Sequence, residues 1–366
     1  MIAPDWSAAK RVLAVRLDNL GDVLVTTPAI RAIRQGLPEA RITLLASHVG
    51  AQVAALNPDI DDVIVSSAPW MDPWQELPLD PDREQRTIGE LRARQFDAAV
   101  IFSSFRQSPL PAAYLCYLAG VPLRLAASID GPGSLLTTRH KHPERMMHEV
   151  ERGLDLVGAV GMMTTDDRLV LVPPPGVAAS ITHWTSGNRP LVVVHPGCSM
   201  PARTYPRELY AEVVTLLVQH LHARVVLTGA SHERALVNDL FDRLPLSVRP
   251  HVEAAAGALE FPEFCALIQA ADLTITNNTG PMHMSAALGT PVIALFALTN
   301  PPEQWGPWRV PHRMLFREVP CRLCYSRICP IDHACLVGVP PSSVVATAAE
   351  LLDLAVPAAA PLQVVG

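Results

Sequence analysis

The chain has 366 residues, 49% of them hydrophobic and 17% charged, with a formal net charge of −6. That length exceeds one typical domain and suits two, and the apolar content excludes global disorder. The negative balance excludes a general nucleic-acid binder, because no basic field exists to neutralise phosphates.

Short Val/Ile/Leu runs alternate with helical patterns through the first half. Strands are predicted at residues 11–16, 41–46, 62–65 and 97–102, with helical periodicity near 28–35, 49–56, 83–94 and 144–160. Such βα alternation belongs to a parallel sheet covered by helices on both faces. VPPPG at 172–176 interrupts it, since proline suits neither a helix interior nor a central strand. The pattern then restarts, with strands at 191–195, 224–227, 273–276 and 292–296 and helices near 207–221, 232–244, 262–271 and 281–288. A last helix is expected near 342–354. The predicted fold is α/β, two doubly wound domains facing a central cleft. An amino-terminal domain covers 1–172, a linker 173–190, and a carboxy-terminal domain 191–366.

The opening MIAPDWSAAKRVLAVRLDNLGD lacks a basic stretch followed by a long apolar run, and no segment reaches about 18 uninterrupted apolar residues. Seven cysteines, an odd number in a long chain, argue against a secreted disulfide framework. The expectation is a cytoplasmic protein with at most peripheral contact at the inner membrane face.

Ligands of open α/β sheets bind beyond the carboxyl ends of the strands. The polar departures from the apolar pattern fall there: LDNLGD at 17–22, HPGCS at 195–199, Thr228 and Gly229, NNTGPMH at 277–283, and ALTN at 297–300. In the fourth of these, Asn278 or Thr279 can cap the helix that follows, Gly280 permits close backbone approach, and Pro281 suits the first turn. The free N–H groups of that turn make an anion site; the plainer alternative is a capped helix without a ligand. A helix terminus contributes only about 0.3–1 kcal/mol to an anion, up to ~2 when partly buried. A diphosphate therefore calls for a converging cation, and Arg203 is the candidate, against the commoner fate of a solvated arginine. In the first segment Asp22, after Gly21, could be a general base or simply an acid placed against the helix dipole. Asp18 is a rival for the same role, and spacing alone leaves the two open.

No G-x-G-x-x-G follows a strand and no G-x-x-x-x-G-K-[ST] occurs, so neither the dinucleotide fingerprint nor a P-loop is present. A nucleotide-dependent dehydrogenase is a poor fit for that reason. The D-x-D triplets Asp59/Asp61 and Asp80/Asp82 sit in Pro-containing loops and are discounted as metal motifs.

RVLAVRLDNLGDVLVTTPAI at 11–30 closely resembles the opening of glycosyltransferase family 9, the ADP-heptose:lipopolysaccharide heptosyltransferases. The resemblance continues through His195-Pro-Gly, ARTYP at 202–206, LTG at 227–229, NTGPMH at 278–283, AALGTP at 286–291 and WGP at 305–307. It implies a GT-B fold of two Rossmann-like domains and an inverting displacement without a catalytic metal or other cofactor. The implied donor is a nucleotide sugar, ADP-heptose, and the acceptor a glycan or glycolipid such as lipopolysaccharide core. Asp22 stands where the family keeps its catalytic aspartate, which decides between it and Asp18. The resemblance also implies a donor-binding set of Gly21, His195, Gly197, Arg203, Thr228, Gly229, Asn278, Thr279, Gly280, Pro281, Met282 and His283. Two positions depart from the family. Asn278 replaces an aspartate that meets the donor sugar, which puts the preferred sugar in question. Arg203 replaces a frequent lysine and keeps the charge while adding a bidentate fork.

Cys321, Cys324, Cys329 and Cys335 have the ligand number of a tetrahedral zinc or iron site, but their spacing is not that of a zinc ribbon, and reduced thiols are the alternative. Some protein-modifying relatives in the same superfamily carry cysteine-bound iron, so a protein O-heptosyltransferase with a structural metal is a second expectation. A catalytically silent nucleotide-sugar-binding protein is a third. Cys116, Cys198 and Cys265 are expected as packing residues. His140, His142 and His148 are expected at solvated positions, too loosely arranged to be ligands.

Overall fold

The computed structural model describes residues 4–71, 77–131, 133–354 and 364–365. They divide into two compact units, Met1–Val172 and Pro173–Gly366.

The first unit runs β1 (Arg11–Arg16), α1 (Leu20–Gly36), β2 (Arg41–Ala46), α2 (His48–Ala54), β3 (Asp62–Val65) and α3 (Pro81–Arg94). It continues with β4 (Ala98–Ile101), α4 (Leu110–Leu118), β5 (Leu123–Ala127), β6 (Thr138–His140) and α5 (Glu149–Gly158). The six strands form one parallel sheet in the order β3-β2-β1-β4-β5-β6. Val12 to Val15 and Ala98 to Ile101 are buried almost completely, as strands covered on both faces must be. The chain winds outward from β1 and then crosses to β4, so the switch point lies between those two strands.

The second unit opens with two one-turn helices, α6 (Val177–Ser180) and α7 (Thr182–Thr185), in the stretch expected to be linker. Then come β7 (Leu191–His195), α8 (Arg207–Leu221), β8 (Arg224–Leu227), α9 (Arg234–Asp242), β9 (Val252–Ala254) and α10 (Phe261–Ala270). β10 (Leu273–Asn277), α11 (Gly280–Leu288), β11 (Val292–Leu295), α12 (Pro302–Trp305) and β12 (His312–Leu315) follow. The unit ends with α13 (Ala334–Val337), α14 (Pro341–Leu351) and β13 (Val364–Val365). The sheet order is β13-β12-β11-β10-β7-β8-β9, parallel throughout except at the β12–β13 edge. Its switch point lies between β7 and β10. No helix among the described residues is long and apolar enough to cross a membrane.

Several elements differ from the sequence expectation. α1 begins at Leu20 and carries Pro28 inside it, where a helix start was expected. Proline at that point removes an N–H, and the carbonyl of Leu24 that it would have met accepts from the Thr27 hydroxyl at 2.7 Å instead. The helix expected from 144 begins at Glu149, because His148 caps it: the imidazole accepts from Val150 N at 3.2 Å and the Glu151 carboxylate from His148 N at 2.9 Å. β5, β6, β9, β12 and α4 were not expected. β5 holds Arg124 mid-strand, a charge tolerated because backbone carbonyls of Leu135 and Ser134 accept from it at 2.6 and 3.1 Å. β6, β9 and β12 are short edge or near-edge strands without a long apolar run.

Candidate active site

β1 ends in Arg16 and the chain enters α1 four residues later, which folds Asp18 and Asp22 back onto the Arg16 guanidinium. Nε lies 2.9 Å from Asp18 Oδ2, and Nη2 lies 3.0 Å from Asp22 Oδ1. Glu149, the first residue of α5, approaches Nη2 at 3.9 Å and takes Arg152 Nε on its other oxygen at 3.2 Å. The Arg16 side chain is 2% exposed. Burial opposes its charge, but the carboxylates of Asp18, Asp22 and Glu149 outweigh that and hold its pKa above the ordinary value.

The two rival aspartates are placed differently. Asp18 is 7% exposed; Gln107 Nε2 donates to its Oδ1 at 2.5 Å, while Oδ2 pairs electrostatically with Arg16 Nε without hydrogen-bond alignment. Burial raises its pKa to about 6, opposed by Arg16 and reinforced by Asp22. Asp22 is 17% exposed and sits in the first turn of α1, directly after the buried Gly21. Its contacts among the described residues all fall on Oδ1: Arg16 Nη2 at 3.0 Å and the Ser104 hydroxyl at 3.3 Å. Ser104 Oγ in turn accepts from Arg16 Nη2 at 2.8 Å. Arg16, Ser104, Gln107 and Glu149 were absent from the predicted site. Arg16 carried a signal, a charge closing an otherwise apolar strand; the other three reach the cluster only through the fold.

In the second unit the predicted donor residues gather at the β7/β10 switch point. Asn277 ends β10 and is fully buried. Its amide donates to the carbonyls of Pro196 and Gly197 at 2.9 and 3.3 Å and accepts from Tyr205 N and the Tyr210 hydroxyl at 3.0 and 3.2 Å. This residue, also missing from the predicted set, ties the His195-Pro-Gly turn to α8 and to the start of α11. Thr279 occupies the N-cap position of α11 in extended backbone, without a side-chain cap bond. Gly280 and Pro281 are the first two residues of α11, and Pro281, Met282 and His283 are buried behind them.

His195 is buried, with Nδ1 3.1 Å from the Thr228 hydroxyl and its ring stacked on Phe264 at 5.7 Å. Burial pushes its pKa down, although Glu233, 3.7 Å from Nε2, pulls the other way. The Glu233 carboxylate also accepts from Ala230 N at 2.8 Å. It lies so close to Gly197 that a Cβ there would meet Oε1 at 2.0 Å, and a Cβ at Gly229 would meet Glu233 Cβ at 3.2 Å. The glycines at 197 and 229 are therefore explained by Glu233, which the sequence did not single out.

Arg203 ends a short 3-10 turn and donates from Nε to the Thr299 hydroxyl at 2.9 Å. Thr299 Oγ1 lies 3.3 Å from Asn300 Oδ1, which accepts from Asn278 Nδ2 at 3.1 Å, while Asn278 Oδ1 accepts from Ala297 N at 3.2 Å. Asn278 is thus buried in the wall beneath the turn. An amide can donate to Asn300 where a carboxylate could not, which gives a physical reason for asparagine at this position.

Cys321, Cys324 and Cys329 are half-buried and Cys335 is buried, and all four line one small cavity with Ala202 and Leu298. Their loop braces the Arg203 turn: Ala202 N donates to Arg327 O at 2.8 Å, Tyr325 N to Thr299 O at 2.9 Å, and His333 Nε2 to Pro201 O at 2.9 Å. Cys116 and Cys265 are buried, in keeping with packing roles. Asp59 and Asp61 pair with Arg31 and Arg34, and Asp80 caps α3, so neither D-x-D triplet stands apart as a metal motif. The histidines correct the expectation. His148 is a buried helix cap, while His140 and His142 both converge on Asp155.

Residues 85–335 match the family described as Glycosyltransferase family 9 (heptosyltransferase). Lipopolysaccharide heptosyltransferase 2 of Escherichia coli K12 is 25% identical over 308 residues, covering 80% of this chain and 84% of that protein. The family 9 glycosyl transferase of Veillonella parvula superposes with a TM-score of 0.78 at 20% identity, over 94% of this chain and 97% of that one. E. coli ADP-heptose lipopolysaccharide heptosyltransferase II superposes with a TM-score of 0.75 at 21% identity, over 93% and 98%. The shared fold is GT-B, two Rossmann-like units in tandem. On the match over residues 85–335, this chain belongs to glycosyltransferase family 9.

Proposed function

We propose that the enzyme transfers heptose, with inversion, from ADP-heptose to a hydroxyl of a lipopolysaccharide-core type acceptor at the cytoplasmic face of the inner membrane. Asp22 takes the proton of the acceptor hydroxyl as its oxygen bonds to the anomeric carbon of the donor. The bond from that carbon to the diphosphate oxygen breaks through an oxocarbenium-like state, and ADP leaves with the electron pair. The N-terminal turn of α11 binds the growing diphosphate charge through Gly280 N and the Thr279 hydroxyl, because Pro281 has no N–H and the N–H groups of Thr279 and Met282 meet Asn277 O and Thr279 O. Arg203 adds full charge, with Gly197, Thr228, Gly229 and His195 shaping the adjoining strand ends and Met282 and His283 behind the turn. These groups supply the positive potential the displacement needs, so the reading requires no catalytic metal and no further cofactor.

The observation that carries the reading is the asymmetry of the Asp22 carboxylate. Its Oδ1 is anchored on Arg16 and Ser104, and its contacts among the described residues leave Oδ2 for an incoming hydroxyl. Asp18 is the less exposed of the two, 7% against 17%, with Oδ1 bonded to Gln107 and Oδ2 turned onto Arg16, which supports Asp22 as the base. Donor names among the relatives support heptose: the E. coli protein above is an ADP-heptose enzyme. The test is nucleoside diphosphate release from a panel of nucleotide sugars by wild type and Asp22→Asn. Release from ADP-heptose that disappears in the variant while donor binding persists is the expected result; equal turnover by the variant would remove Asp22 from the role.

A further inference from the structure

The geometry points to a divalent transition-metal site in the first unit, built from His140 Nε2, His142 Nδ1 and a carboxylate oxygen of Asp155. His140 ends β6, the edge strand, and His142 follows two residues later, so both side chains leave the chain on one face. α5 covers that face and presents Asp155. Each ring nitrogen lies 2.6 Å from the same atom, Asp155 Oδ2. The two rings meet edge to face with centroids 5.0 Å apart. All three ligand atoms lie within 4.8 Å of one another, the one such group of three among the described residues.

The donor set is chemically specific. Two imidazoles and one carboxylate suit zinc and its neighbours rather than magnesium or calcium, which take oxygen. Three protein ligands with water in the fourth position is a familiar zinc arrangement. With Zn–N and Zn–O bonds of about 2.0–2.2 Å, tetrahedral ligand atoms sit roughly 3.3 Å apart. Each N···O separation must therefore open by about 0.7 Å, within the swing of an aspartate side chain. The side chains are 18%, 12% and 28% exposed, sheltered yet reachable by a hydrated ion. Arg152, the neighbouring cation, is turned toward Glu149 at 3.2 Å, and Lys141 toward Glu144 at 2.9 Å. On binding, each imidazole coordinates as the neutral ring through the nitrogen now facing Asp155, its proton moving to the other ring nitrogen.

Such an ion clips the edge strand β6 to α5, the helix whose first residue, Glu149, reaches the Arg16 cluster. The test is zinc titration of chelator-stripped protein by calorimetry, with metal counted after desalting. Cys324→Ser serves as the control for binding at the cysteine loop. Wild type and Cys324→Ser should each retain one equivalent more than His142→Ala and Asp155→Asn, the second of which keeps the shape of the site. Zinc should raise the unfolding temperature of wild type and leave that of Asp155→Asn unchanged. Cobalt in the same site should show d–d absorption without a thiolate charge-transfer band, a signal lost in Asp155→Asn and kept in Cys324→Ser. Equal zinc content in wild type and both site variants, or no zinc retained by wild type, would overturn the proposal.

Discussion

The two switch points of this molecule solve different electrostatic problems. At the end of β1 a buried guanidinium is held by three carboxylates, so charge faces charge and every partner depends on the others. At the end of β10 the wall is built from neutral amides, hydroxyls and glycines, with a helix terminus supplying partial charge. The first arrangement should respond to protonation and to removal of a charge. The second should respond to added bulk and to loss of its one converging cation. Changes that confuse these signatures would break the comparison.

The largest effect is expected at Asp22. Asp22→Asn keeps the volume and one acceptor for Arg16 but removes the base, so turnover should fall about 10²–10⁴-fold, the usual range for general-base loss. Donor affinity by calorimetry should change little, because the proposed diphosphate contacts are in the second unit. A matching loss of donor affinity would mean that the first site is not a separate acid–base site.

Arg203 comes next. Arg203→Ala should weaken ADP binding by about 10–100-fold, the value of a charge-assisted hydrogen bond of roughly 1.5–3 kcal/mol. Arg203→Lys should restore most of that, and the remaining deficit reports the fork geometry and the Thr299 contact. Lysine performing no better than alanine would show that position, not charge, carries the role.

Gly197→Ala tests bulk without charge. The added methyl would meet Glu233 at 2.0 Å, so the carboxylate must swing away from Ala230 N and His195. Only the flexible end of that side chain stands in the way, so the cost should be small, about the 0.5–1.5 kcal/mol of the bond given up by Ala230 N. Urea unfolding should record that loss, and the donor KM should rise. An unchanged unfolding midpoint would show Glu233 to be freely displaceable, with no part in holding the turn.

These sites were legible in the sequence to different degrees, for a physical reason. The second unit's turn, NNTGPMH, is continuous in the chain, so its glycine and proline showed the helix start directly, although neither Asn278 nor Thr279 makes the expected side-chain cap. The first unit's cluster is assembled from three separate segments, and Ser104, Gln107 and Glu149 look like ordinary polar residues until pairing of β1 with β4 and packing of α5 on α1 gather them. Long apolar strands such as Arg11–Arg16 and Leu191–His195 were predicted to the residue because burial on both faces demands uninterrupted Val, Leu and Ala. The edge strands β6 and β9 were missed because half-exposed residues obey no such demand, although β3, also at an edge, was predicted to the residue through its DVIV run. His140 and His142 looked solvated for the same reason: β6 is three residues long, and its partner Asp155 lies across an intervening loop.

Protonation sharpens the contrast further. Asp18 has its pKa raised from 3.8 to about 6, chiefly by burial. A raised carboxyl pKa means that the folded state holds the proton more tightly than the unfolded one. The resulting stabilisation is complete below pH 3.8 and is lost as pH rises through about 6. Wild type should therefore lose up to about 3 kcal/mol relative to Asp18→Asn between pH 4 and pH 7. Urea unfolding at several pH values checks this, and parallel curves for the two proteins would contradict it. At the second switch point burial acts in the opposite direction on charge, pushing the His195 pKa down against the pull of Glu233.

The smallest effect is expected at Tyr210. Its hydroxyl is one of two donors to Asn277 Oδ1, the other being Tyr205 N. Tyr210→Phe removes that bond but leaves the ring edge to face with Tyr205 and the acceptor still partnered. An acceptor that keeps one bond escapes the full penalty of burial without a partner, so the cost should be about 0.5–1.5 kcal/mol, seen as a small shift in unfolding midpoint. Asn277→Leu removes all four bonds at once and should unseat the His195-Pro-Gly turn, with a loss well beyond the sum expected for independent neutral bonds. The ratio of the two losses measures how far this neutral switch point behaves as one network, as the charged switch point must.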